Sequence, residues 1–171
     1  MDMKNRRNIG VNILIILTIT SVMIFFAVRI SLDRYIKNEA IRSVQNCEGF
    51  LRKRDADSFM EYSEGKNLFH SYYFLVESPE LSYTAESEYG VENLVRNWCE
   101  DNSTKINKIY TEELGDRVFY IKQIKLRDTN DRIAIYTDVS SAIRMSNIVI
   151  LILIIVMVIS DIVSTALGFR M

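Results

Sequence analysis

The chain has 171 residues, a formal net charge of −1, two Cys, one His and one Pro. A near-neutral balance with no basic patch interleaved with aromatics excludes a typical nucleic-acid binder, and no metal-ligand spacing involves the cysteines. The 49% apolar content is concentrated in two runs, Ile9–Ile30 and Asn147–Gly168, which leave about 115 residues between them for one small domain with its own core.

Residues 1–8 carry Lys4, Arg6 and Arg7 against Asp2. The run that follows, residues 9–30, is longer than the apolar part of a cleaved signal peptide and ends Phe25-Phe26-Ala27-Val28-Arg29, without a small-residue cleavage pattern. It reads as an uncleaved first span with the basic residues on the cytoplasmic side. Ser31–Arg54 continues the helix. Leu32, Tyr35 or Ile36, Ala40 or Ile41, Val44, Cys47 and Leu51 recur at steps of three and four, with charged residues between them. Asp55-Ala56-Asp57-Ser58 offers an N-cap for a short helix at 58–64, which Gly65 would stop.

Leu68–Val76 is aromatic, apolar and uncharged, which favours a buried strand. Pro79 follows its end, and 81–88 reads as a polar loop. Val91, Leu94, Val95, Trp98 and Cys99 predict a helix over Tyr89–Glu100. A three-strand meander should follow: Lys105–Glu112, a turn at Leu114-Gly115-Asp116, Arg117–Leu126, a turn at 127–131, then Arg132–Val139. In the last strand Ile133, Ile135 and Thr137 face opposite to Ala134, Tyr136 and Asp138. A link of few residues, 140–146, leads to the second apolar run, 147–168. At about 1.5 Å per residue, about 20 apolar residues cross the ~30 Å hydrocarbon layer. The expected fold is thus an α+β membrane protein. Two transmembrane helices flank residues 31–146, which are exported and contain an antiparallel sheet and a long N-terminal helix. Both termini are cytoplasmic, the second at 169–171.

Within the second run, Asp161 is the conspicuous residue. A carboxylate near the middle of a bilayer costs roughly 2.5–3.5 kcal/mol on insertion scales. In an antiparallel hairpin it reaches the depth of Leu17 and Thr18. Thr18, Thr20 or Ser21 would supply hydroxyls there, and a homodimer would bring two Asp161 carboxyls together to share a proton. The competing reading sends Asp161 toward the inner headgroups. Glu77, Glu80, Glu86, Glu88 and Glu92 form a stretch with no Lys or Arg between Lys66 and Arg96. Glu86, Glu88 and Glu92 could collect a divalent cation or a cationic peptide, although EF-hand spacing is absent and a solvated loop explains them as well. Cys47 and Cys99 would form a disulfide in an oxidising exterior, or remain two buried thiols. Tyr72, Tyr73, Phe74, Trp98, Phe119, Tyr120 and Tyr136 would line a small-molecule pocket or fill the core.

IAIYTDVSSAIRMSN, running straight into the second span, resembles the input half of a bacterial transmembrane sensor histidine kinase. Such proteins end an extracytoplasmic PAS-like domain (PDC or Cache type) with a strand, then Tyr-x-Asp-Val-Ser/Thr, then the inward helix. Those positions here are Tyr136, Asp138, Val139 and Ser140, and the resemblance implies that they are the signal-coupling link. It also implies a two-pass protein of the bacterial cell membrane, working as a homodimer on a small-molecule, ion or protein stimulus. His70 is the only His and would lie outside the membrane, away from any cytoplasmic phosphoacceptor motif. No Gly-rich ATP-binding box is present. These 171 residues are therefore expected to be a sensor without enzymatic activity. ATP, Mg²⁺ and a response regulator would enter only through a histidine protein kinase core following Met171. The same architecture also suits a chemoreceptor, a nucleotide-cyclase input, or a non-signalling two-span interaction protein.

Overall fold

The computed structural model describes residues 3–53, 69–77, 82–83, 89–125 and 132–170. The expected short helix at 58–64, the loop residues Glu86 and Glu88 and the turn at 127–131 lie outside the described residues. Two compact units emerge, one of Met1–Tyr35 with Arg144–Met171 and one of Ile36–Ile143.

The second unit is an α+β domain. α1 (Met3–Lys53) enters it from Ile36 onward, and β1 (Ser71–Leu75), β2 (Ser82–Tyr83), α2 (Tyr89–Asp101), β3 (Ile109–Leu114), β4 (Arg117–Lys125) and β5 (Arg132–Asp138) follow. The sheet order is β2-β1-β5-β4-β3 with every neighbour antiparallel, four full strands and the two-residue β2 at one edge. The segment read as polar loop thus contributes an edge strand. Its Tyr83 stands opposite Tyr73 in the register, and pairing to a strand already in the sheet outweighs weak local propensity. The β3–β4 hairpin turns at Gly115-Asp116, where Gly115 adopts φ 67°, a left-handed conformation that glycine takes without a side-chain clash.

Alternation along the strands gives the sheet two apolar faces. Tyr120, Ile124, Ile133, Ile135 and Val139 cluster with Ile36, Ala40, Val44 and Cys47 of α1. Phe119, Ile121, Ala134, Tyr136 and Phe74 cluster with Val91, Val95, Trp98 and Cys99 of α2. Each helix covers one face, which is why the central strands β4 and β5 are buried on both sides.

In the first unit, α1 and α3 (Ser140–Arg170) are long and apolar enough to cross a membrane. Their outward positions, such as Ile16, Met23, Phe26, Ile148, Ile155 and Ile162, are 50–68% exposed large apolar side chains, a surface suited to lipid rather than water. The less exposed positions recur as Ile13, Leu17, Ser21, Phe25 and Val28 on α1. On α3 they are Ser146, Ile150, Leu153, Met157, Asp161 and Ser164. These are the three- and four-residue steps of helices sharing a seam. Contacts of Ser21 with Asp161 and of Arg29 with Asn147 make that seam antiparallel.

Candidate functional site

The point where the sheet gives way to α3 is closely hydrogen-bonded outside the ladders. β5 ends at Asp138, and α3 begins at Ser140. The anticipated short link at 140–146 is therefore the first two turns of the helix itself. Its residues carry no Pro or Gly to delay helix formation, and the start is capped. Asp138 Oδ1 accepts the Ser140 amide at 2.8 Å and the Ser140 hydroxyl at 2.5 Å. That satisfies one of the amides a helix N-terminus leaves open. Asp138 Oδ2 accepts from Arg117 Nη1 at 3.0 Å, an ion pair between β5 and the start of β4.

Val118 on β4 completes the junction from its main chain. Its carbonyl accepts from the Val139 amide at 3.0 Å, and its amide donates to Ser140 Oγ at 2.8 Å. Ser140 Oγ thus accepts from one strand and donates to the end of the next. The Val139 carbonyl then takes the Ile143 amide at 2.9 Å, the opening bond of the helix. Val139 is fully buried in the α1-side cluster. Tyr136 is fully buried on the opposite face. Its ring centroid lies 5.6 Å from Tyr72, 6.0 Å from Phe74 and 6.2 Å from Phe119. Of the four residues singled out as a link, two anchor the opposite sheet faces and two form the hydrogen-bonded clamp.

The carboxylate of the second apolar run, Asp161, sits elsewhere. Asp161 lies on the seam and accepts from Ser21 Oγ, which is 3.3 Å from both carboxylate oxygens. Thr18 and Thr20 are exposed and bond their own backbone, to Leu14 O and Ile16 O at 2.9 Å. Ser21, not Thr18, therefore meets Asp161. A threonine hydroxyl four residues beyond a carbonyl of its own helix is satisfied without a partner helix. At the other end of the seam, Arg29 Nη1 donates to Asn147 Oδ1 at 2.7 Å and Arg29 pairs with Asp33.

Cys47 and Cys99 are free and fully buried. They belong to different clusters on opposite faces of the sheet, so the disulfide considered from sequence does not form. A disulfide needs Cα atoms about 4.4–6.8 Å apart, and a β-sheet layer stands between these two. Burial pushes both thiols up, Cys99 to about 12.

Glu92 does not belong to an open acidic loop. It is buried on α2 and pairs at 2.5 Å with Arg96. Arg96 in turn donates to the carbonyls of Leu75 and Val76 and stacks 4.4 Å over Phe74. Its carboxylate is already engaged by a cation within the fold, and no cluster of three metal-ligating side chains occurs among the described residues. Phe74, Phe119 and Tyr136 are wholly buried in the core.

One polar feature escaped the sequence reading. Ser43 on α1, Ser71 on β1 and Thr137 on β5 are all buried and stand in hydrogen-bonding line, at 2.7 Å and 2.6 Å. The signal was present: Ser43 falls on the apolar stripe of α1, where a hydroxyl needs a partner. Comparison with protein-family models, with curated proteins and with solved structures finds no match.

Proposed function

We propose that these residues form the sensory input module of a bacterial two-component receptor. In this reading the Ile36–Ile143 unit is a PAS-like domain outside the cell membrane, and α1 and α3 carry the spans. The strand order β2-β1-β5-β4-β3, which sets the chain's first strand beside its last, supports a PAS-like sheet. Two helices long and apolar enough to cross a bilayer support the two-pass arrangement.

The observation that carries the reading is the start of α3. A helix capped by Asp138 and tied through Ser140 to the main chain of Val118 supports a coupling in which α3 follows the strands it leaves. A stimulus that prefers one arrangement of the sheet then biases α3 by its differential affinity for the two arrangements. The resulting motion would be a helix shift on the order of 1–2 Å. A homodimer supplies the neighbour against which α3 moves. The same input arrangement would serve a kinase, a chemoreceptor or a cyclase output.

The test is a fusion of residues 1–171 to the cytoplasmic half of an intact histidine kinase, assayed for autophosphorylation in membrane vesicles. Two glycines inserted between Val139 and Ser140 should change basal output by at least about threefold, the factor that a coupling of about 0.7 kcal/mol supplies. Unchanged output would remove the coupling. A protease-cleavable tag inserted after Ser103 should be cut in intact protoplasts, and protection there would remove the topology.

A further inference from the structure

The strip of α1 that rests on the sheet is largely apolar. Ala40, Val44 and Cys47 are fully buried there and share a cluster with Ile133, Ile135 and Val139. Apolar burial has no direction, so such a strip resists separation far more than sliding. The ion pair of Glu48 with Lys122 bridges α1 and β4, but a lysine's four-carbon stem follows a small shift.

Three hydroxyls differ in kind. Ser43 Oγ donates to the Phe69 carbonyl at 3.0 Å. A serine has a single hydroxyl proton, so at its 2.7 Å contact with Ser71 it must accept. The Ser71 proton is thereby spent, and at 2.6 Å Ser71 accepts from Thr137. The proton order is fixed along the chain, from Thr137 to Ser71 to Ser43 to the Phe69 carbonyl. The reverse order would leave that carbonyl without the serine proton. Ser43 holds its two partners in different directions, so a shift of one helical residue, about 1.5 Å, must lengthen or bend at least one bond.

We propose that the Ser43–Ser71–Thr137 chain is an axial lock, the directional contact that fixes where along its length α1 rests on β1 and β5. Thr137 immediately precedes Asp138, so the lock joins α1 to the strand that ends in the α3 clamp. Its purpose, holding the two span-bearing elements in register, rests on the sensory reading above. Its geometry does not.

The two native thiols supply the test. Cys47 lies one turn beyond Ser43 on the same strip, and Cys99 lies under the opposite sheet face. In the full-length protein in lipid nanodiscs, the labelling rate of each thiol by a maleimide reports local opening on its own side. This assay uses neither stimulus nor output, so its failure and a failure of the sensory reading are separable. Thr137→Val and the milder Ser43→Ala should each accelerate Cys47 labelling about tenfold, the population change that loss of one net hydrogen bond gives, and leave Cys99 unchanged. The double variant should go no further than either single one, because the bonds act as one chain. Thr137→Ser, which keeps the hydroxyl, should label slowly. Equal acceleration at both thiols would show a general loss of stability and overturn the lock. Unchanged Cys47 rates, or single effects that multiply in the double variant, would overturn it as well.

Discussion

Ser21 Oγ stands 3.3 Å from each carboxylate oxygen of Asp161, joining residues 140 positions apart across the seam of two apolar helices. Interhelical hydrogen bonds of this kind, where measured between membrane helices, contribute only about 0.6–2 kcal/mol. Ser21→Ala is expected to destabilise the helix pair by that amount in SDS-titrated unfolding. Adding Asp161→Ala should recover most of the loss, since no carboxylate then lacks its donor. Thr18→Val should be neutral within about 0.5 kcal/mol, because the Thr18 hydroxyl serves only Leu14 O of its own helix. A Thr18 effect as large as that of Ser21 would mean that the seam is misassigned.

The α3 clamp predicts a graded series at Asp138. Asp138→Ala removes the acceptor for the Ser140 amide and hydroxyl together with the Arg117 pair. A lost N-terminal cap costs about 0.5–2 kcal/mol. Asp138→Asn keeps a carbonyl acceptor and loses only a partly exposed ion pair, worth up to about 1 kcal/mol. Trp98 is the only tryptophan and is buried in the α2-side cluster, so its fluorescence follows urea unfolding of this unit. Amide exchange at Ser140 and Val118 should accelerate together in Asp138→Ala. Acceleration at Ser140 alone would show that the two strand ends are not tied through the serine.

Periodicity carried much of this architecture. Residues 36, 40, 44 and 47 face the sheet as their spacing implied, and the alternation of 133, 135 and 137 against 134, 136 and 138 sorts the two faces of β5. A short pairing such as β2 was not legible, because two residues carry no period and their pairing is set by a neighbour 10 positions away in the chain, Tyr73 with Tyr83. Nor was it legible that Cys47 and Cys99 are separated. Each sits on an apolar helical stripe, and only the order of strands decides that the two helices cover opposite faces. The depth of Asp161 could be counted from the run ends, but Thr18, Thr20 and Ser21 differ by helical rotation, which a residue count does not resolve. The hydroxyl line joins Ser43, Ser71 and Thr137, three residues whose proximity exists only after the sheet has formed.

The separated thiols make a direct prediction. Treatment with a strong reductant should leave the urea midpoint of the protein unchanged, and reduced and oxidised samples should migrate identically on denaturing gels. With burial holding the Cys99 thiol near 12 and Cys47 raised as well, both should react with a thiol reagent at pH 8 far more slowly than a free cysteine. The thiolate is the reacting form, and its ordinary pKa is about 8.5. A reductant-sensitive midpoint would require a Cys47–Cys99 bond through the sheet and would overturn the assignment of the two helices to opposite faces.

Among the described residues, two carboxylates are held below the ordinary glutamate value. Burial raises the Glu48 carboxyl, but hydrogen bonds and positive charge from Lys122 and Arg52 prevail and hold it below the ordinary 4.5. Glu77 is likewise raised by burial and brought below that value by Arg132, through its side chain and its backbone amide. A group depressed on folding contributes stability above its unfolded value and loses it as pH falls through the folded one. These pairs therefore leave stability flat above about pH 5.5 and erode it below 4.5. Glu48 should dominate, because its side chain is 14% exposed and that of Glu77 is 48%, so solvent screens the second pair. Glu48→Gln should flatten the acid slope of the urea midpoint. It should also lower stability at pH 7 by about 1–3 kcal/mol, since Lys122, only 13% exposed, then loses its counter-charge. An acid slope unaltered in Glu48→Gln but abolished in Glu77→Gln would show that the Arg132 pair, not the bridge from α1 to β4, governs the transition.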